Sequence, residues 1–278
     1  MIRILVDTAA DYTVEEIKEK GFELVPMHIS IGEKDYRDGF DLTKDQFYEL
    51  LQESKDFSKT SQPTPQDFVE AFEDVKEKGD ELICILLSSA LSGTCQSAAL
   101  AKSIVDYDKI HIVDSLTATH MIRVLADYAK KLSEEGMSAE KIVEALEDLK
   151  PRVQVFAALD TLEYLYKGGR LSKTSAVIGE VARVKPLIHV STEGKVVVVA
   201  KCLGKNKAIT ALLKLLKERK LDENFPIYSV YTYGQENVEA LEARMEEEGC
   251  KVQGRQQIGA TIGTHIGPGV FGAVFVEK

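Results

Sequence analysis

Three short, mainly apolar segments, at residues 2–6, 82–87 and 110–113, each end abruptly in a cluster of small polar side chains. The unbroken run at 82–87 suits a strand buried on both faces of a parallel sheet, and the other two read as further strands. They deliver Asp7-Thr8-Ala9-Ala10-Asp11, Ser88-Ser89-Ala90-Leu91-Ser92-Gly93-Thr94 and Asp114-Ser115-Leu116-Thr117-Ala118-Thr119, and in a parallel sheet those three loops share one edge. Helical patterns fill the intervals. Thr13 with Glu16 forms a capping box for a helix ending near Gly21, and Thr43 with Gln46 caps another that sets Phe47, Leu50 and Leu51 on one face. Residues 22–31 are β-like and, after a turn at Gly32-Glu33-Lys34, pair with 35–39 as a hairpin. Lys59-Thr60-Ser61-Gln62-Pro63-Thr64-Pro65 is a stiff extended loop, until Pro65 opens a helix carrying Phe68, Phe72 and Val75. Residues 95–104 continue the Ser92 loop as an Ala-rich helix. His120 begins a long helix, and residues 125–150 carry two helices that part around Glu135-Gly136-Met137.

Pro151 marks the expected boundary between an N-terminal domain, 1–150, and a C-terminal domain, 151–278. The second half mixes strands with hairpins. Residues 153–159 are β-like, and 160–166 form a short helix running into Lys167-Gly168-Gly169-Arg170-Leu171-Ser172. Residues 186–190 and 196–200 flank a Glu193-Gly194 turn. A basic helix over 205–220 covers Ile209, Leu212, Leu213 and Leu216; a strand at 227–233, an acidic helix at 236–248 and a strand at 252–258 follow. Residues 258–269 hold four glycines, one proline and His265 in what reads as an irregular loop, before a last apolar strand at 270–276. Alternating helices and strands with hairpins make an α+β layer.

With 278 residues, 44% hydrophobic and 29% charged, the chain has the composition of an ordinary soluble protein with two well-filled cores. Its formal charge of −10 argues against general nucleic-acid binding and against an anionic membrane surface. Cys84, Cys95, Cys202 and Cys250 are far apart without a CxxC pair, so neither a zinc site nor a disulfide framework is indicated. An acidic residue at position 7 comes too early for a signal peptide and no apolar run spans a bilayer, which implies a cytoplasmic protein.

The candidate chemistry is anion binding. A hydroxyl-rich loop that opens a helix at the carboxyl end of a buried strand offers backbone N–H groups and the positive end of a helix dipole, which singles out Ser92, Gly93 and Thr94. Ser92 or Thr94 acting only as a helix cap is the plainer alternative. Asp7, Thr8 and Ser115 sit at the same sheet edge. Thr60 and Ser61 on a proline-stiffened loop can grip a ligand at small entropic cost, or the loop is a connection with Thr64 as N-cap. Arg170, on a Gly-Gly turn, suits bidentate recognition of a carboxylate or phosphate, unless it pairs with Asp160 or Glu163. His265 can donate to an anion or work as an acid or base, whereas His111 and His120 read as packing residues. No GxGxxG or P-loop follows any strand, so the chain lacks the usual means of holding ATP. A hydrolase is the rival reading, with Ser92 as nucleophile, His265 as base and Asp7 or Asp114 orienting it, although no GxSxG elbow surrounds Ser92. A module for a small phosphorylated metabolite is a third.

Six motifs in order give a more specific expectation. Val6-Asp7-Thr8-Ala9-Ala10-Asp11, Lys59-Thr60-Ser61-Gln62-Pro63, Leu87-Ser88-Ser89-Ala90-Leu91-Ser92-Gly93-Thr94, Val113-Asp114-Ser115, Leu162-Glu163-Tyr164-Leu165-Tyr166-Lys167-Gly168-Gly169-Arg170-Leu171-Ser172 and His265-Ile266-Gly267-Pro268-Gly269 resemble the DegV family, the fatty-acid-binding subunits of bacterial fatty acid kinase. The resemblance implies an N-terminal three-layer α/β/α domain with a parallel sheet and a C-terminal α/β domain with a mixed sheet. It implies one long-chain fatty acid near their junction, its carboxylate held by Thr60, Ser92, the backbone at Gly93 and His265. Arg170 would sit at the surface and serve the encounter with an ATP-dependent kinase subunit that makes the acyl phosphate. The chain would then be a substrate carrier without a cofactor of its own, and not an enzyme. It departs from the family pattern at Val6, where threonine is usual, and at Thr119-His120-Met121-Ile122-Arg123, whose bulk could redirect the lipid cavity.

Overall fold

The protein, described by a computed structural model over residues 1–54, 56–171 and 184–278, is an α/β fold built around two large sheets. The chain enters as strand β1 (Ile2–Asp7), helix α1 (Val14–Lys20) and strand β2 (Glu23–Val25). It then makes a small excursion: β3 (His28–Ile31), β4 (Lys34–Arg37), α2 (Lys44–Glu53) and β5 (Lys59–Ser61). It returns through α3 (Pro65–Lys78), β6 (Glu81–Leu86), α4 (Thr94–Val105), β7 (Ile110–Asp114), α5 (His120–Glu134) and α6 (Ala139–Leu149). Beyond Pro151 come β8 (Val153–Ala158), α7 (Glu163–Lys167), β9 (Val184–Val190), β10 (Val196–Leu203), α8 (Lys205–Lys217), β11 (Tyr228–Tyr231), α9 (Glu236–Glu247), β12 (Gly254–Gln257), α10 (Ala260–Ile266) and β13 (Phe271–Val276).

The first sheet, in the order β2-β1-β6-β7, is wholly parallel; the second, β10-β9-β8-β13-β11-β12, is mixed. Side-chain alternation explains the stacking. Leu5, Leu82, Cys84 and Leu86 point to one face of the parallel sheet and pack on Phe68, Phe72 and Ala98 of α3 and α4. Ile4, Val6, Ile83 and Ile85 point to the other face and meet Met121, Leu125, Ile142 and Leu146 of α5 and α6. The same apolar cluster takes in Val153, Val155, Ala157 and Val274 from the near face of the mixed sheet, while Phe156, Phe271 and Phe275 of its far face pack on α8 and α9. Helix α5 is thus enclosed by both sheets, which is why its first seven residues, His120 through Ala126, are all buried. Among the described residues no helix is long and apolar enough to cross a membrane.

Three expectations from sequence change here. Residues 22–31 are two strands and not one: β2 joins β1 in the parallel sheet, and after Pro26 β3 pairs antiparallel with β4 and β5. The stiff loop at Lys59 is itself a strand, since Thr60 lies opposite Ile29. The glycine-rich loop at residues 258–269 contains helix α10, with Gly259 as its N-cap and Gly267, at φ +73°, as its C-cap. Small strands and α2 hold this helix, through Ile29, Phe47, Tyr48 and Ala260 in one cluster. The capping boxes at Thr13 with Glu16 and at Thr43 with Gln46 both form, and Thr64 caps α3.

Candidate functional site

Where the carboxyl edge of the parallel sheet meets the near face of the mixed sheet, apolar side chains enclose a cavity. Its wall includes Met27, Leu87, Leu91 and Ala118 from the first half and Val155, Ala157, Ile188, Val190, Ile262 and Ile266 from the second. The cavity volume is about 70 Å³, so the space is narrow. The polar residues in the wall are Thr60, Ser92, Thr119, Arg170, Thr261 and His265.

Four of these belong together. His265 Nε2 lies 2.8 Å from Thr60 Oγ1, bringing α10 against β5. Arg170 donates from Nε to the carbonyl of Leu91, next to Ser92, at 2.9 Å, and from Nη1 to the carbonyl of Gly168 at 2.6 Å. It pairs with neither Asp160 nor Glu163, whose partners are Lys185 and Lys167, and the dry setting lowers its pKa. His265 is neutral at ordinary pH, because burial and the nearby Arg170 guanidinium push it down to about 4. Its Nδ1 is buried without a hydrogen-bond partner among the described residues, against Gly168, where a Cβ would stand 2.2 Å from that nitrogen. An unpaired buried N–H costs more than an unpaired acceptor, so the proton belongs on Nε2. Nε2–H then donates to Thr60 Oγ1, and the Thr60 hydroxyl proton is available to an anion in the cavity.

Ser92 stands in a loop fixed from several sides. Asp7 accepts from the backbone N–H of Leu87 at 2.7 Å and of Ala9 at 2.9 Å. Ser88 Oγ donates to the carbonyl of Gly194 at 2.9 Å, and Asp114 accepts from Ser89 N–H at 3.1 Å. Helix α4 begins at Thr94 with Gly93 as its N-cap and no side-chain cap bond, leaving first-turn N–H groups beside Ser92 without that partner. Ser92 Oγ and Thr94 Oγ1 are 2.8 Å apart and share one hydrogen bond.

The remaining sequence candidates lie around the cavity and not in its wall. Asp7 is fully buried and pushed up to about 7 by desolvation; with Thr8, which accepts from Met27 N–H, and Ser115, which donates to the carbonyl of Thr117, it organises the sheet edge. Ser61 is exposed. Gly93 packs against Gln62, whose Oε1 would be 1.9 Å from a Cβ there. Ser172, within the motif around Arg170, lies outside the described residues.

Sequence reasoning passed over two wall residues, Thr119 and Thr261. Each turns its hydroxyl onto a buried carboxylate behind the wall: Thr119 onto Asp11 and Thr261 onto Asp38, both at 2.5 Å. Asp11 also accepts from Gly259 N–H and Asp38 from Thr261 N–H, so two acids of the first half fasten the start of α10. His120 is buried with Nδ1 3.3 Å from Asp11, and Arg123 pairs with Glu16. Neither these two nor Met121 reaches the cavity wall.

The hydrolase candidates are not brought together. His265 bonds to Thr60, Ser92 to Thr94, and Asp7 and Asp114 are bound to backbone N–H groups; Ser92, His265 and either aspartate do not stand in series. Among the described residues, Glu81, His111 and Glu140 bring candidate metal-ligand atoms within 4.8 Å of one another. They lie at the amino-terminal edge of the parallel sheet, away from the cavity.

Comparison with known proteins follows the same lines. A family model described as an uncharacterised protein of the DegV family matches residues 1–278. A DegV domain-containing protein of Caldanaerobacter subterraneus is 37% identical over 280 residues, spanning 100% of this chain and 99% of its own. Protein DegV of Bacillus subtilis is 32% identical, again over 100% and 99%. Among solved structures, a DegV family protein from Thermus thermophilus described for fatty acid binding is similar at TM-score 0.89 and 29% identity, over 100% of this chain and 99% of that one. A stearic-acid-binding protein from Eubacterium ventriosum is similar at TM-score 0.90 and 29% identity, with the same coverage.

Proposed function

We propose, starting from the fact that this chain belongs to the DegV family over its whole length, that it binds one long-chain fatty acid in the cavity between its two sheets. The observation that carries the reading is an apolar slot whose wall carries Thr60, Ser92 and His265, with Arg170 bonded to the carbonyl next to Ser92. The carboxylate is held by the hydroxyls of Thr60 and Ser92, by His265 behind Thr60, and by the backbone at Gly93. Burying roughly fourteen methylenes at about 0.8 kcal/mol each contributes on the order of 11 kcal/mol before ordering costs. The polar groups then have only to orient the head. Structures similar to this one over their full length are described as fatty-acid binding, which supports the same occupant here.

The chain acts as a carrier and not as a catalyst: a separate ATP-dependent kinase subunit transfers a phosphoryl group to the bound carboxylate, giving the acyl phosphate. Half-buried Arg170, without a carboxylate partner among the described residues, is available to the incoming phosphate or to the kinase. The cysteines are unpaired, which suits a reducing cytoplasm. The test is a reconstitution with the kinase subunit. Ser92→Ala weakens fatty-acid binding by about ten- to a hundredfold, the worth of one lost hydrogen bond to a charged group. Arg170→Ala slows phosphorylation by at least about tenfold with a far smaller change in affinity. Equal loss of affinity in the two variants contradicts this division of labour.

A further inference from the structure

We infer that Val190 closes the far end of the cavity and sets the longest acyl chain the protein accepts. The inference rests on the fatty-acid reading and adds a specificity-determining residue to it.

Strands β8 and β9 are antiparallel, with Ala157 opposite Ile188 and Phe156 opposite His189. Because successive side chains alternate between faces, Ala157, Val155 and Val153 form one row and Ile188 and Val190 its neighbour. The row begins near the anion-binding end, since the chain runs on from Ala158 to Leu165 and Arg170. Ala157, Ile188, Val155 and Val190 line the fatty-acid cavity. One step further, Val153 and Val190 line a second cavity with Leu116, Thr117, Lys150, Pro151 and Ser191, of about 100 Å³. Val190 is the side chain common to both, and it is 8% exposed. The second space therefore continues the first along the same two strands, and the Val190 isopropyl group stands between them.

What lies beyond reinforces the limit. Thr117 Oγ1 is buried there without a hydrogen-bond partner among the described residues, and Lys150 Nζ is engaged by Glu147 and by the carbonyl of Asp114. A methyl terminus that stops at Val190 stays in apolar surroundings, whereas one that passes it meets a partly polar wall.

Affinities for saturated fatty acids from about twelve to about twenty carbons test the inference. Each methylene buried adds about 0.8 kcal/mol, or roughly fourfold in affinity, until the tail meets the end wall. The chain length at which this rise stops moves up by about two carbons or more in Val190→Ala, which joins the two spaces, and down in Val190→Leu, which fills the end. Should Val190→Ala not fold, Val190→Leu decides alone. A break at the same length in wild type and variants overturns the role of Val190 while leaving the carrier reading intact. Folded wild-type protein that binds none of the series overturns the carrier reading, and this inference with it.

Discussion

His265 and Thr60 are joined by a single hydrogen bond of 2.8 Å, which ties the last helix of the chain to an edge strand of the small sheet formed by β3, β4 and β5. The histidine in that bond is held neutral by burial and by Arg170, at about 4 against an ordinary value of 6.5. Between those two values the unfolded chain takes up a proton that the folded chain refuses. The stability tied to neutral His265 is complete above about pH 6.5 and is lost as the pH falls towards 4. Desolvation raises Asp7 to about 7 and Asp38 to about 6, and these groups act in the opposite sense, favouring the folded state on the acid side. The wild type must therefore be compared with His265→Gln at each pH. Chemical denaturation should show the wild type losing ground to the variant from pH 6.5 down to 4 and a constant difference above 6.5; a difference unchanged across that window contradicts the assignment.

Two adjacent glycines behind the site separate a packing role from a conformational one. Gly168 has ordinary backbone angles, but a Cβ there would stand 2.2 Å from His265 Nδ1 and 3.0 Å from the Tyr164 carbonyl. Gly169 adopts φ +73° with open space around it. Gly168→Ala should displace the imidazole and lower fatty-acid affinity about as much as His265→Ala. Gly169→Ala should cost on the order of 1 kcal/mol of stability and leave affinity nearly unchanged. Calorimetric titration beside thermal unfolding checks both, and equal affinity in Gly168→Ala and wild type contradicts the packing role.

The parallel sheet was legible because β6 is an unbroken apolar run buried on both faces, and β1 and β7, interrupted only by Arg3 and His111, are short apolar segments likewise followed by a polar loop. Ser92, Thr60 and His265 were legible as residue types in unusual settings. Helix α10 was not, because Gly263 sits inside it and glycine normally argues against helix; it is there because a Cβ would stand 2.4 Å from Tyr48 Oη. Nor was the split at Pro26, where apolar character continues across a change of sheet. The part that Asp11 and Asp38 play at the start of α10 was not legible, since their partners there, Gly259 and Thr261, lie more than two hundred positions away, a distance over which local pattern carries no information.

The most direct test of the central claim is mass spectrometry of the protein purified from a bacterial host, first native and then denatured. A native mass above that of the chain, with a long-chain fatty acid released on denaturation in near-stoichiometric amount, is the predicted result. A native mass equal to that of the chain alone, combined with no uptake of added long-chain fatty acid, would contradict it.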